Sequence, residues 1–113
     1  MNSEKVYYLD TYIAGRLYAD ADEAWQHLQI GQQVRLIREP DNAKDPSAIA
    51  IFLIVDKISY KLGYLPYRKN QPIALLIDMG WSDAFEATIS RLDPTAPYDR
   101  QIGITVKIVR NHN

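Results

Sequence analysis

The clearest period in the chain runs from Gln101 to Val109. Ile102, Ile104, Val106 and Ile108 alternate there with Gly103, Thr105 and Lys107 and predict a β-strand with one apolar face. The same two-residue rhythm marks Gln33–Ile37, with Val34 and Leu36 on one side. It recurs over Ala84–Leu92, where Phe85, Ala87 and Ile89 oppose Glu86, Thr88 and Ser90. Ala48–Val55 is apolar throughout. It is too short and too β-branched for a membrane helix, so it predicts a central strand covered on both faces. Asp56–Ser59 should turn the chain into a fourth strand, Tyr60–Leu65, paired to the third as a hairpin and ended by Pro66. Gly63 inside that strand predicts a bulge or a close approach of backbone. A first strand is expected over Lys5–Leu17, bent around Gly15.

Two stretches read as helices instead. Asp20–Leu28 carries acidic residues in its first turn, puts Ala24, Trp25 and Leu28 on one face, and is closed by Gly31. Lys69–Met79 puts Ile73, Leu76 and Ile77 on one face, with Asn70 as N-cap, Pro72 in the first turn and Gly80 as its stop. Six short strands and two helices joined by tight turns argue for a mainly β chain, either a small antiparallel barrel or a half-open sandwich. Pattern alone leaves both open.

Composition narrows the class. With 113 residues, 47% apolar and 24% charged, the chain is expected to form one domain, residues 1–113, with its core over about 7–109. There is no cysteine, so a disulfide frame and a thiolate zinc site are both excluded. The first ten residues have neither a basic leader nor an apolar signal core, and no run approaches a membrane span, which predicts a cytoplasmic protein with no membrane partner. Formal net charge is −1, against a surface that coats nucleic acid everywhere. Residues 1–56 hold 5 Lys/Arg against 9 Asp/Glu, a balance of −4, and residues 57–113 hold 8 against 5, a balance of +3. A polyanion site, if there is one, must be local.

Catalytic signatures are missing. No zinc-type cluster, Ser/His/Asp grouping, phosphate-binding glycine loop or dinucleotide fingerprint occurs, so no enzyme and no cofactor are expected. Asp41 and Asp45 sit four apart and imitate a metal or acid/base pair, but further ligands would have to converge on them. His27 beside Trp25 has no second ligand near it in sequence and reads as structural.

The densest chemistry lies in one connector, REPDNAKDPSAIAIF, from Arg38 to Phe52. Pro40 fixes its own φ, Asp41 and Asn42 can fold back on their own backbone, and Pro46 biases Asp45 toward extended geometry, so the loop should hold one shape. This run, followed by LGYLP (Leu62–Pro66) and then by an amphipathic helix ending in Asp78–Gly80, closely resembles the HIRAN domain. That family occurs at the N-terminus of Swi/Snf-type DNA-remodelling helicases and as free-standing bacterial proteins. The resemblance covers about Tyr7 to about Val109 and implies a six-stranded barrel related to the oligonucleotide-binding fold, flanked by two helices.

The resemblance also implies a pocket that captures the free 3′-hydroxyl end of single-stranded DNA. Asp45 matches the family aspartate that accepts a hydrogen bond from the terminal hydroxyl; a carboxylate would repel the phosphate of a continuing strand. Tyr12 falls where the family places a ring that stacks on a nucleobase, and Asn42 matches an asparagine that bonds a base edge or fixes the loop. Arg38 stands at the loop's mouth, where it could also pair with Glu39 or Asp41. Tyr64 and Tyr67 match positions facing the bound strand, with Arg68 and Lys69 adjacent for phosphates. For each tyrosine, Tyr7, Tyr8 and Tyr18 included, packing in the core or rim is the competing account.

One departure matters. Where the family commonly carries proline and an aromatic residue before the aspartate, this chain has Ala43 and Lys44, so the second stacking ring is missing and Lys44 offers a phosphate contact instead. The expected function is a non-catalytic module that grips single-stranded 3′ ends in DNA repair or replication-fork processing, beside a helicase or nuclease partner. The alternative is a protein-interaction barrel that has lost the DNA end and recruits a partner around Tyr64 and Tyr67. An RNA-binding variant is a third. The observation that bears most on the first is the shape and charge of the cleft lined by Tyr12, Asp45 and Tyr67; acceptor oxygens of Asp45 spent inside the protein, or no opening between it and the Tyr12 ring, would end that reading.

Overall fold

The computed structural model describes residues 2–15 and 19–112. Six strands carry the chain: β1 (Asn2–Tyr12), β2 (Gln33–Arg38), β3 (Ile49–Val55), β4 (Ile58–Tyr64), β5 (Phe85–Leu92) and β6 (Ile102–His112). All pairings are antiparallel, in one sheet of order β1-β6-β5-β2-β3-β4. The expected mainly β class with two short helices holds. Of the expected first strand, Arg16 and Leu17 lie outside the described residues, as does Tyr18.

The barrel expectation is corrected in one respect, because the sheet curls but does not close. Among the described residues its two edges meet at one isolated bridge, between Ala14 and Tyr64, whose backbones exchange two hydrogen bonds of 2.8 Å. Gly15 then takes φ +68, outside extended geometry.

The touching point depends on Gly63, the residue marked out by sequence. It takes φ +149, and the pairing register shifts beside it, between Ile51 and Phe52. A Cβ built there would lie 2.3 Å from the Ala14 carbonyl oxygen. Both geometric expectations, bulge and close approach, are therefore met at one residue. Asp56 and Lys57, at φ 50 and 68, make the two-residue turn between β3 and β4.

The core fills the inside of the curl. Ile49, Ile51, Leu53, Leu62, Ile89, Ile102, Ile104 and Val106 are all buried, joined by Ile13, Leu65 and Ile73 from the segments around the sheet. The apolar face of β6 outruns this core: Ile108 continues the period yet is 38% exposed.

The helices differ from expectation in detail. The first is α1 (Ala21–Ala24) followed by a 3-10 turn over Trp25–His27, with Ala21 and Ala24 buried. The second, α2 (Tyr67–Asp78), starts earlier than Lys69, with Pro66 as N-cap at φ −56. Asn70 is thus inside the helix and buried, not a cap, and Pro72 sits in the interior, where its missing N–H forgoes one bond to the preceding turn. The buried side is Asn70, Ile73 and Ala74, while Leu76 stays 40% exposed.

Candidate nucleic-acid interface

The connector between β2 and β3 holds one shape through its own side chains. Asn42 Oδ1 accepts the backbone N–H groups of Lys44 at 2.9 Å and Asp45 at 3.1 Å, and its amide donates to Glu39 Oε1 at 3.2 Å. Of the two roles open to Asn42, fixing the loop is the one its geometry fills. Asp45 is half-buried at the end of this turn. Its Oδ1 accepts the Ser47 N–H at 2.9 Å and its Oδ2 accepts the Asn70 Nδ2–H at 2.8 Å. Each oxygen of an ionised carboxylate has two lone pairs, so the group is oriented by two donors and keeps room for further ones.

Asn70 has no place in the sequence-based site. Its side chain is 1% exposed and its Oδ1 has no hydrogen-bond partner. Asparagine near a helix start reads as a cap, and only the fold shows it aimed at the loop.

Arg38 turns away from the loop's mouth. Its Nε and one terminal nitrogen donate to the two oxygens of Asp78 at 2.8 and 3.0 Å, and the guanidinium also donates to the carbonyls of Ala48 at 2.7 Å and Pro46 at 2.9 Å. All but one of its N–H groups are thereby used inside the protein. Neither Glu39 nor Asp41 is its partner. The Asp78 carboxylate raises the Arg38 pKa, and the Arg38 hydrogen bonds lower that of Asp78.

Glu39 instead anchors the opposite wall. Its Oε1 accepts from the Tyr64 hydroxyl at 2.8 Å and its Oε2 pairs with Lys61 Nζ at 2.6 Å, while the Lys61 ammonium lies 4.7 Å from the centre of the Tyr64 ring. Burial alone would raise the Glu39 pKa, but hydrogen bonds from Lys61, Tyr64 and Asn42 outweigh it and bring the carboxyl below its ordinary 4.5. A folded value below the unfolded one means stabilisation that is complete above the unfolded pKa and fades as pH falls through the folded one. Glu39→Gln should therefore lower the thermal midpoint by several degrees at pH 7 and by much less at about pH 3. An equal deficit at both pH values, in scans followed by circular dichroism, would show that the charge contributes nothing.

The expected site residues fall into two adjoining hollows rather than one cleft. Asn42, Lys44, Asp45, Tyr64 and Tyr67 border the first, with Ala14 and Gly15. Tyr12 and Lys69 border the second, with Thr11, Gly103 and Arg91. The segment from Leu65 to Lys69 is the ridge between them, Leu65 and Tyr67 facing one hollow, Pro66 and Lys69 the other. Tyr67 is 68% exposed, with its hydroxyl accepting from Arg68 Nε at 3.1 Å. Tyr12 is half-buried, and the Arg91 guanidinium carbon stands 6.0 Å from its ring centre. Nothing local in the sequence marks Arg91; its signal is the strand register, which sets it opposite Gly103.

The remaining candidates are structural. His27 packs its ring against Tyr60 at 5.5 Å, and Tyr8 against Phe85 at 6.5 Å. Among the described residues, no group of three or more His, Asp or Glu side chains is placed to hold a metal ion, and no helix is long and apolar enough to cross a membrane.

Comparison with known proteins agrees with this architecture. The profile of the HIRAN domain matches residues 6–109. A Fanconi-associated nuclease 1 homolog of Arabidopsis thaliana is 34% identical over 101 residues, 89% of this chain and 10% of its own length. The homolog of that name from Oryza sativa subsp. japonica is 39% identical over 70 residues, 62% of this chain and 7% of its own. The chain thus spans a tenth or less of these relatives. A crystal structure of a protein from Lactobacillus plantarum superposes with a TM-score of 0.79 at 24% identity, covering 97% of this chain and all of that one, which shows a shared fold.

Proposed function

The chain belongs to the HIRAN domain family, and on that premise we propose that it is a non-catalytic DNA-binding module that grips single-stranded 3′-hydroxyl ends during DNA repair. The observation that carries this reading is the Asp45 carboxylate, half-buried at a hollow and aimed by the Ser47 and Asn70 donors with acceptor capacity to spare. A terminal hydroxyl can donate to it. A 3′-phosphate, or the phosphate of a continuing strand, meets like charge in a partly desolvated place.

The strand then crosses the ridge into the Tyr12 hollow. That ridge leads into the first turn of α2, where the Lys69 N–H is taken by the Pro66 carbonyl at 2.9 Å. This leaves the Tyr67 and Arg68 N–H groups, with no carbonyl of the helix to reach, to suit a phosphate oxygen, the Arg68 and Lys69 side chains beside them. Lys44, exposed on the rim, adds a salt-sensitive contact. Bases enter through their faces, so sequence preference should be weak. The longer relatives are named as nucleases, which supports a nuclease as the partner class.

The test is fluorescence anisotropy with one oligonucleotide ending in either a 3′-hydroxyl or a 3′-phosphate. The wild type should prefer the hydroxyl by about tenfold or more, one charge-assisted hydrogen bond's worth. Asp45→Asn should bring the two ends together by admitting the phosphate. Equal affinity for both ends in the wild type removes terminus reading.

A second reading, a module that recruits a protein partner, is favoured by a specific surface in addition to the one expected around Tyr64 and Tyr67. Leu75, Met79 and Trp81, at the other end of α2, are 58%, 71% and 58% exposed. Binding to nucleic acid that vanishes while a partner is still retained at high salt would favour it.

A further inference from the structure

Tyr12, Gly103 and Arg91 form one row across three neighbouring strands. Tyr12 on β1 is the register partner of Gly103 on β6, and Gly103 is the partner of Arg91 on β5. Directly paired residues of antiparallel strands project to the same face, so the two side chains stand on either side of a position that carries none. The strands lie about 4.8 Å apart, which sets the two Cα atoms roughly 10 Å from each other. The space over Gly103 is also needed: a Cβ there would come within 3.0 Å of the Arg91 Cβ. The outcome is a slot with a bare floor, a phenol on one wall and a guanidinium on the other, opening into the Tyr12 hollow.

We propose that this slot takes one nucleobase, with Arg91 covering the face that Tyr12 does not. The inference rests on the function proposed above and supplies the stacking surface that Lys44 cannot. A base touching a plane on each side needs about 7 Å between them, twice a close carbon contact. The guanidinium carbon is 6.0 Å from the ring centre, less than that spacing, so Arg91 must swing outward to admit a base. Arg91 is free to make that move. Its side chain is 57% exposed and its ion pair with Asp93 is loose at 3.6 Å against the usual 2.7–2.9 Å or so of a charge-assisted contact. Guanidinium planes stack on bases as aromatic rings do, whereas an ammonium does not.

The experiment compares wild type, Arg91→Ala and Arg91→Lys by anisotropy with a 3′-hydroxyl oligonucleotide at several salt concentrations. It is repeated with an abasic nucleotide at each of the last three positions in turn. Both variants should bind about 5-fold or more weakly with the wild-type salt slope, and one abasic position should erase the difference between wild type and Arg91→Ala. Full affinity in Arg91→Lys together with a shallower salt slope in Arg91→Ala makes Arg91 a phosphate contact and overturns the slot. Unchanged binding in Arg91→Ala overturns it too, while end preference in the wild type leaves the Asp45 reading standing. A wild type that binds no single strand removes both.

Discussion

Gly63→Ala is expected to destabilise the protein by about 3–4 kcal/mol, and among the glycines it is where an added Cβ meets the closest contact. Two independent strains add at this position. At φ +149 the backbone lies in a region that only glycine occupies freely, which costs an L-residue roughly 1–3 kcal/mol. The new Cβ would also meet the Ala14 carbonyl oxygen at 2.3 Å and the Ile13 Cγ2 at 2.6 Å, contacts that force backbone apart, and overpacking of this kind costs roughly 1–3 kcal/mol. Thermal unfolding followed by circular dichroism should show the midpoint fall by about 15 °C or more. Gly31→Ala is the control, since its φ is +92 but a Cβ there meets nothing within 4 Å; it reports positive-φ strain without the clash. A Gly63→Ala midpoint no lower than that of Gly31→Ala would mean the Ala14–Tyr64 contact opens at little cost. That contact lies beside the Asp45 hollow, so DNA binding should weaken in any Gly63→Ala protein that stays folded.

Arg38→Ala is expected to cost about 2–3 kcal/mol, and Arg38→Lys nearly as much. The side chain is only 11% exposed, and its guanidinium fork serves two backbone carbonyls and a carboxylate at once. Truncation takes one of two donors from the buried Ala48 carbonyl, which keeps the Glu39 N–H at 3.0 Å, and leaves the exposed Pro46 carbonyl to water, so what is lost is charge-assisted hydrogen bonding, roughly 1.5–3 kcal/mol. An ammonium brings a charge but not the planar fork, so lysine cannot reach all three acceptors. Pro46 and Ala48 flank the turn that presents Asp45, so the damage should be local as well as global. Amide hydrogen exchange should speed up over residues 42–48 in Arg38→Lys before the rest of the sheet responds. Wild-type protection there, with a wild-type melting midpoint, would demote the clamp to a surface ion pair.

The Arg38 case also shows how far the chain could be read without coordinates. Strand positions followed from the period of Val34, Leu36, Phe85, Ala87, Ile102, Ile104 and Val106, because a half-buried strand repeats every two residues whatever lies opposite. Gly63 was legible for the same local reason: a glycine inside an otherwise regular strand needs a geometric cause. The start of α2 was not. Asn70 and Pro72 carry cap-like chemistry, yet Pro66 had already set the helical turn, and the burial of Asn70 against Asp45 depends on a residue 25 positions away. Arg38 looked like a site residue because the family resemblance puts a basic side chain at the mouth of the loop. Its partner, Asp78, is 40 positions on.

What the sequence determined alone was local: the strands, an irregularity at Gly63, the rigid Asn42 turn and, through the Arg38–Ile49 and LGYLP motifs, the family. Each depends on dihedral preferences or on side chains within a few residues, which no distant packing can rearrange. Only the tertiary structure decided that the sheet stays open, that Tyr12 and Asp45 lie in separate hollows on either side of the Leu65–Lys69 ridge, and that Arg91 faces Tyr12 across Gly103. Those arrangements follow from which strands become neighbours. That choice is settled by packing one core among residues far apart in the chain, and no short stretch encodes it.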